Sequence, residues 1–177
     1  MGHNKSYARR GGQTQPTRGE LIYTSGAPTA ATQSLPSASF PWLASLFVPA
    51  QAQSVRAVGL ECKRSFTAPG VIRLQIWSDT AGSPGDALSD SAGTAQAART
   101  AVFTMVFWDI TPVQLEAGSS YWLVVFLPAP VSGGSTVVYT PASSGSPTDR
   151  LKKSSNLTSW SLVAANVVTR FTLYGTT

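Results

Sequence analysis

The stretch Val71–Ser91, VIRLQIWSDTAGSPGDALSDS, limits what this chain can fold into more than any other. In its first half Ile72, Leu74 and Ile76 alternate with Arg73 and Gln75. That period of two lets a strand bury one face and wet the other. The run then breaks into Gly, Pro, Asp and Ser residues whose backbone preferences no helix tolerates. The same alternation of short apolar run and turn residues continues to the end of the sequence, so the reading is an all-β domain.

From Pro41 onward eight strands are predicted: Leu43–Val48, Val55–Arg64, Val71–Ser78, Thr100–Trp108, Tyr121–Leu127, Thr136–Thr140, Thr158–Ala164 and Thr169–Tyr174. Leu151–Lys153 would add only a short, poorly buried piece. Turn residues such as Pro69-Gly70, Gly82-Ser83-Pro84-Gly85 and Gly133-Gly134 separate them. Short strands at this spacing predict an eight-stranded antiparallel β-sandwich, jelly-roll-like in its connections. Phe171 and Leu173 should face one way, and Arg170, Thr172 and Tyr174 the other. The run from Tyr121 to Leu127 is apolar on both faces, which places it centrally in a sheet and under a cover.

Only 12% of the residues are charged, yet the net charge is +5. Lys5, Arg9, Arg10 and Arg18 all precede the first acid, Glu20, and the rest of the chain is close to neutral. The domain division follows: residues 1–40 as an extended basic N-terminal arm and linker, 41–177 as the sandwich. Within the linker Leu21, Ile22 and Tyr23 could form a short edge strand. The first twenty residues hold no apolar core of signal-peptide length, and the apolar run YWLVVFLPAPV is ended by prolines. The expectation is a soluble protein made in the cytoplasm, with no membrane partner.

Taken in order, IWSD, the loop TAGSPGDALS, LEAGSSYWLVV, the Trp of TSWS and the terminal RFTLYG carry a resemblance. Together they look like the choice-of-anchor type of jelly-roll domain found in bacterial surface proteins and in structural proteins of tailed bacteriophages. The resemblance covers about residues 40–175 and leaves out the arm. It implies a non-catalytic binding, coating or adhesive module. The basic leader in place of an export signal favours the phage particle, with synthesis in the host cytoplasm.

Residue chemistry argues against catalysis. His3 is the single histidine and sits in the arm, so no Ser–His–Asp set can assemble within the domain. No Gly-x-Ser-x-Gly elbow occurs, and the acids are scattered. Asp79, Asp86 and Asp90 surround the Ser-Pro-Gly loop, but Asp79 reads as a turn residue bonding its own backbone. Cys62, the lone cysteine, lies in phase with Val58 and Leu60 and reads as a small buried hydrophobe. No metal and no cofactor is expected. Asn156-Leu157-Thr158 matches a glycosylation sequon that has meaning only on a secretory route.

Two binding chemistries stand out. The arm offers extended backbone and cations to acidic protein partners, with Lys5, Tyr7, Arg9, Arg10, Arg18, Leu21, Ile22 and Tyr23 as anchoring residues. Trp42 and Trp108 are the tryptophans expected at the surface, where they could stack on a host glycan. Nucleic acid is a poor fit, because four arm charges interleave with the single aromatic Tyr7. The sequence reading is thus a non-enzymatic virion protein, most simply a capsid decoration or cement subunit, oligomeric and anchored by its arm. A tail, baseplate or fibre component, or a carbohydrate-binding module, is the alternative.

Overall fold

The computed structural model describes residues 19–25, 27–28, 33–34, 40–64, 72–91, 103–126, 137–139, 141–143, 150–165 and 167–177. They contain no helix. The strands run in chain order as β1 (Glu20–Thr24), β2 (Ala27–Pro28), β3 (Gln33–Ser34), β4 (Trp42–Phe47), β5 (Gln53–Arg64), β6 (Arg73–Thr80), β7 (Ser83–Ala87) and β8 (Thr104–Leu115). There follow β9 (Tyr121–Phe126), β10 (Val137–Tyr139), β11 (Pro141–Ser143), β12 (Arg150–Ser154), β13 (Ser161–Ala165), β14 (Val167–Thr169) and β15 (Phe171–Thr176).

One six-stranded sheet places β15 between β1 and β5, sets β8 on the other side of β5, and continues through β10 to β3. The other has the order β13-β12-β4-β9-β6-β7, and a three-stranded sheet β14-β11-β2 completes the described residues. Every pairing is antiparallel. The core between the large sheets draws Leu43 and Phe47 from β4, Leu74 and Ile76 from β6, and Leu123 and Val125 from β9. Opposite them stand Val58 and Leu60 of β5, Trp108 of β8, and Phe171 and Leu173 of β15. Each such side chain taken fully out of water stabilises the fold by roughly 1.5–3 kcal/mol. This is a β-sandwich, as the sequence pattern predicts, but with more strands than the eight expected.

The extra strands have physical reasons. Residues 83–87, expected as part of a loop, form β7, which among the described residues pairs only with β6, and such an edge tolerates Pro84 and its missing N–H. The strand expected to end at Trp108 does not end there; β8 runs on to Leu115. The ladder shifts between Ala57↔Asp109 and Val55↔Val113, so a bulge absorbs Pro112 without breaking the pairing. Leu151–Lys153, expected to be peripheral, lies in β12 between β4 and β13, with Leu151 only 1% exposed. β1, within the segment read as linker, pairs with β15 in the first sheet.

Buried hydroxyls tie the sheets together: Ser45 of β4 and Ser25 hold Thr169 of β14, in the three-stranded sheet, and Ser89 and Ser91 stand against β6. Ser45 Oγ accepts the Thr169 N–H (3.0 Å) and shares a 2.8 Å bond with Thr169 Oγ1. Ser25 Oγ donates to the Thr169 carbonyl (3.0 Å) and accepts the Phe171 N–H (2.7 Å). Leu74 and Ile76 donate their N–H groups to Ser91 Oγ and Ser89 Oγ, and Ser91 bridges to Ile110 of β8. Backbone groups that a flat ladder would leave unpaired are satisfied by serine side chains instead.

Candidate functional site: a strand edge and an aromatic face

Of the anchoring residues expected from sequence, Lys5, Tyr7, Arg9, Arg10 and Arg18 lie outside the described residues. Leu21, Ile22 and Tyr23 form the middle of β1, at the edge of the first sheet. They are not a free arm. Tyr23 stacks on Phe171 (5.5 Å between centroids) and tilts against Phe47 (5.4 Å), while Ile22 packs on the same core. With Ser25 bonded one residue beyond the strand, β1 is fastened to the body from both ends of its sequence. In sequence, the basic segment 1–18 precedes a strand that is fastened to the core.

A groove of about 270 Å³ opens beside this edge, between β1 and the β4–β5 connection. Leu21, 52% exposed, and Val48, 37% exposed, both line it. Gln53 lines it too; it is only 4% exposed, and its Nε2 has no hydrogen-bond partner. Glu20 supplies a carboxylate at the same place. A buried amide donor beside two exposed aliphatic side chains suits an occupant with a carbonyl and an apolar side chain.

The second feature is the outward face of the β4-β9-β6 region. Pairing sets Arg73, Phe126 and Trp42 in one cross-strand row, and Trp77, Trp122 and Leu46 in another, separated by the small residues Val124 and Ala44. Trp42 stacks on Phe126 with centroids 4.2 Å apart and planes 16° from parallel. Trp42 also lies 6.4 Å from Trp77, and Trp160 stands edge-on to Trp77 at 6.3 Å. The indole N–H of Trp77 donates to Gln75 Oε1 (2.8 Å), and that of Trp122 to Asp79 Oδ1 (2.7 Å). Arg73 lies over Phe126 and pairs with Asp90 at one wall of a second cavity of about 440 Å³.

The loop between β12 and β13 partly covers this face. Ser154 Oγ accepts the N–H groups of Asn156 and Leu157, and Asn156 Oδ1 accepts those of Thr158 and Ser159. The sequon asparagine is thus a turn-capping residue here. Leu157 is held left-handed at φ 67° and packs with Trp160 on the aromatic cluster. Backbone strain of that kind persists only where surrounding contacts hold it.

The two tryptophans expected at the surface separate. Trp42 is half-buried and stands in the aromatic row. Trp108 is corrected: it is 3% exposed, lies in the inter-sheet core and donates its indole N–H to the Ile72 carbonyl (3.3 Å). Because β8 continues past it, Trp108 keeps the inward parity of Val106 and Ile110. Trp77, like Trp122, is buried in this cluster, where tryptophans most often pack, and Gln53 is the residue that sequence reasoning missed.

Asp79 uses both carboxylate oxygens, one on Trp122 and one on the N–H of Gly82 (3.0 Å). No cluster of three or more potential metal-ligating side chains, and no helix able to cross a membrane, occurs among the described residues. Comparison with protein-family models and with curated proteins returns no match to this chain, so its role is argued from these residues alone.

Proposed function

We propose that the chain is a non-enzymatic structural protein of a bacteriophage particle, most simply a capsid decoration or cement subunit, built on a jelly-roll-like sandwich and made in the host cytoplasm. The choice-of-anchor resemblance supplies the setting. The observation that carries the attachment role is the fastening of β1: Tyr23 and Ser25 tie to the core the strand that follows residues 1–18 in sequence. A load on the basic segment would pass through β15 into the twelve-residue strand β5 rather than into a loose linker. Lys5, Arg9, Arg10 and Arg18 would meet acidic surfaces of a neighbouring capsid or tail protein.

The test is incorporation into particles. Reversing charge in the full chain with Arg9→Glu and Arg10→Glu should lower incorporation at least tenfold while the thermal unfolding midpoint stays within about 2 °C. Unchanged incorporation would sink the attachment role.

The aromatic face favours a second reading, recognition of host surface glycans by a tail, baseplate or fibre component. Trp42, backed by the buried Phe126, and the neighbouring Arg73 and Gln75 combine a half-exposed ring with polar groups, the pairing that sugar rings require. Trp42→Ala should then abolish retention on immobilised host polysaccharide. Equal retention by the variant would dismiss this reading.

A further inference from the structure

We infer that the groove beside β1 is the receptor for the N-terminal segment, residues 1–18, of a second copy of this chain. The inference rests on the attachment reading and names its partner. Three observations converge on one place. Gln53 is 96% removed from solvent (4% exposed) and its side-chain N–H₂ has no acceptor. A buried amide without a partner costs stability, and an incoming main-chain carbonyl would relieve it once the Gln53 side chain turns toward the groove. Leu21 and Val48 are two of the four large aliphatic side chains exposed among the described residues, and both line this groove. Among the described residues β1 pairs on one side only, with β15, which leaves a strand edge open to an extended visitor.

The volume, about 270 Å³, falls below the roughly 300–1,000 Å³ of small-molecule sites. It suits a side chain and its flanking backbone better than a cofactor. Glu20 is the one charged side chain among the described residues lining the groove, and residues 1–18 carry Lys5, Arg9, Arg10 and Arg18 with no acid, so the signs are complementary. Tyr7 is the aromatic side chain of that segment and would sit against Leu21 and Val48. Eighteen extended residues reach roughly 60 Å, beyond the roughly 40 Å breadth of a domain of this size. A neighbour's groove is within range. Glu20 pairs with Gly175 near the end of β15, so a segment returning to its own groove would have to reverse direction at once. A segment from another copy need not.

The experiment uses the full chain. Sedimentation equilibrium should show self-association that weakens at least tenfold in Leu21→Arg, in Val48→Arg and in the Arg9→Glu, Arg10→Glu double variant. Gln53→Leu discriminates a receptor from a merely structural residue: it should keep or raise the unfolding midpoint of the body while weakening association. Mixing a Gln51→Cys copy with a Ser6→Cys copy under oxidising conditions should yield a covalent heterodimer. A monomeric wild-type chain, or association untouched by all these variants, overturns the inference. So does cross-linking found only when both cysteines are placed in one chain, which would mean each copy fills its own groove. If particle incorporation is lost in the charge-reversed variant while self-association persists, the inference fails and the attachment reading stands.

Discussion

Ala81 and Gly82 join β6 to β7 with φ values of 51° and 76°, so both central residues of this two-residue turn are left-handed. That geometry belongs to a type I′ hairpin, which matches the twist of the strands and favours Asn-Gly. Ala at the first position bears the steric cost of its Cβ. Ala81→Asn should therefore stabilise the protein by about 0.5–1 kcal/mol, read as a higher urea midpoint at unchanged slope. Ser45 presents the opposite case. Its hydroxyl accepts the Thr169 N–H of β14, and Ser45→Ala would strand that donor. The expected loss is about 1–3 kcal/mol in the same measurement. Neither effect could be read from residue type alone. Ser45 sits in an apolar run, WLASLF, and only its neighbour 124 positions away explains a buried serine there.

Among the elements, those with a clean alternation were legible and those held by their surroundings were not. Phe171 and Leu173 point inward while Arg170 pairs with Glu61 and Tyr174 meets Phe107 on the outside, as the pattern of β15 implies. β12 reads RLKKS, with a single core residue, because its outward position is filled by Lys152, whose ammonium lies over the Trp122 ring at 5.5 Å. Its place in the sheet depends on β4 and β13 rather than on its own hydrophobicity. β15 also contains Gly175, at a bulge where a Cβ would run into the backbone carbonyl of Ser54. Gly175→Ala should cost roughly 3 kcal/mol, since main chain cannot yield as a side chain does. Equilibrium denaturation would show it, and a loss under 0.5 kcal/mol, below the range of about 1–3 kcal/mol expected of such a clash, would contradict the close approach.

For the molecule as a whole, the two sheets enclose one core and the aromatic cluster forms a second layer outside it. Cys62 lies in that core with no exposed surface. Its thiol should react with Ellman's reagent only as fast as the whole domain unfolds, so the rate should level off as reagent is increased. A rate that keeps rising with reagent in native buffer would place Cys62 in a locally opening region. The same scale bears on attachment. Phe47 meets Tyr23, Tyr121 and Phe171, so the strand that follows the basic segment is tied into the centre of the domain.

Strand class, the inward face of most strands and the burial of Cys62 were determined by the chain itself, because a period of two is a property of extended covalent geometry and needs no partner. The tertiary structure alone decided which strands pair, where a proline is absorbed by a bulge, and that Trp108 is core while Trp42 is surface. It also decided that Leu21, Ile22 and Tyr23 belong to the sandwich. Those outcomes turn on whether backbone groups far apart in sequence find hydrogen-bond partners, as Glu20 does opposite Gly175, and no local pattern records that.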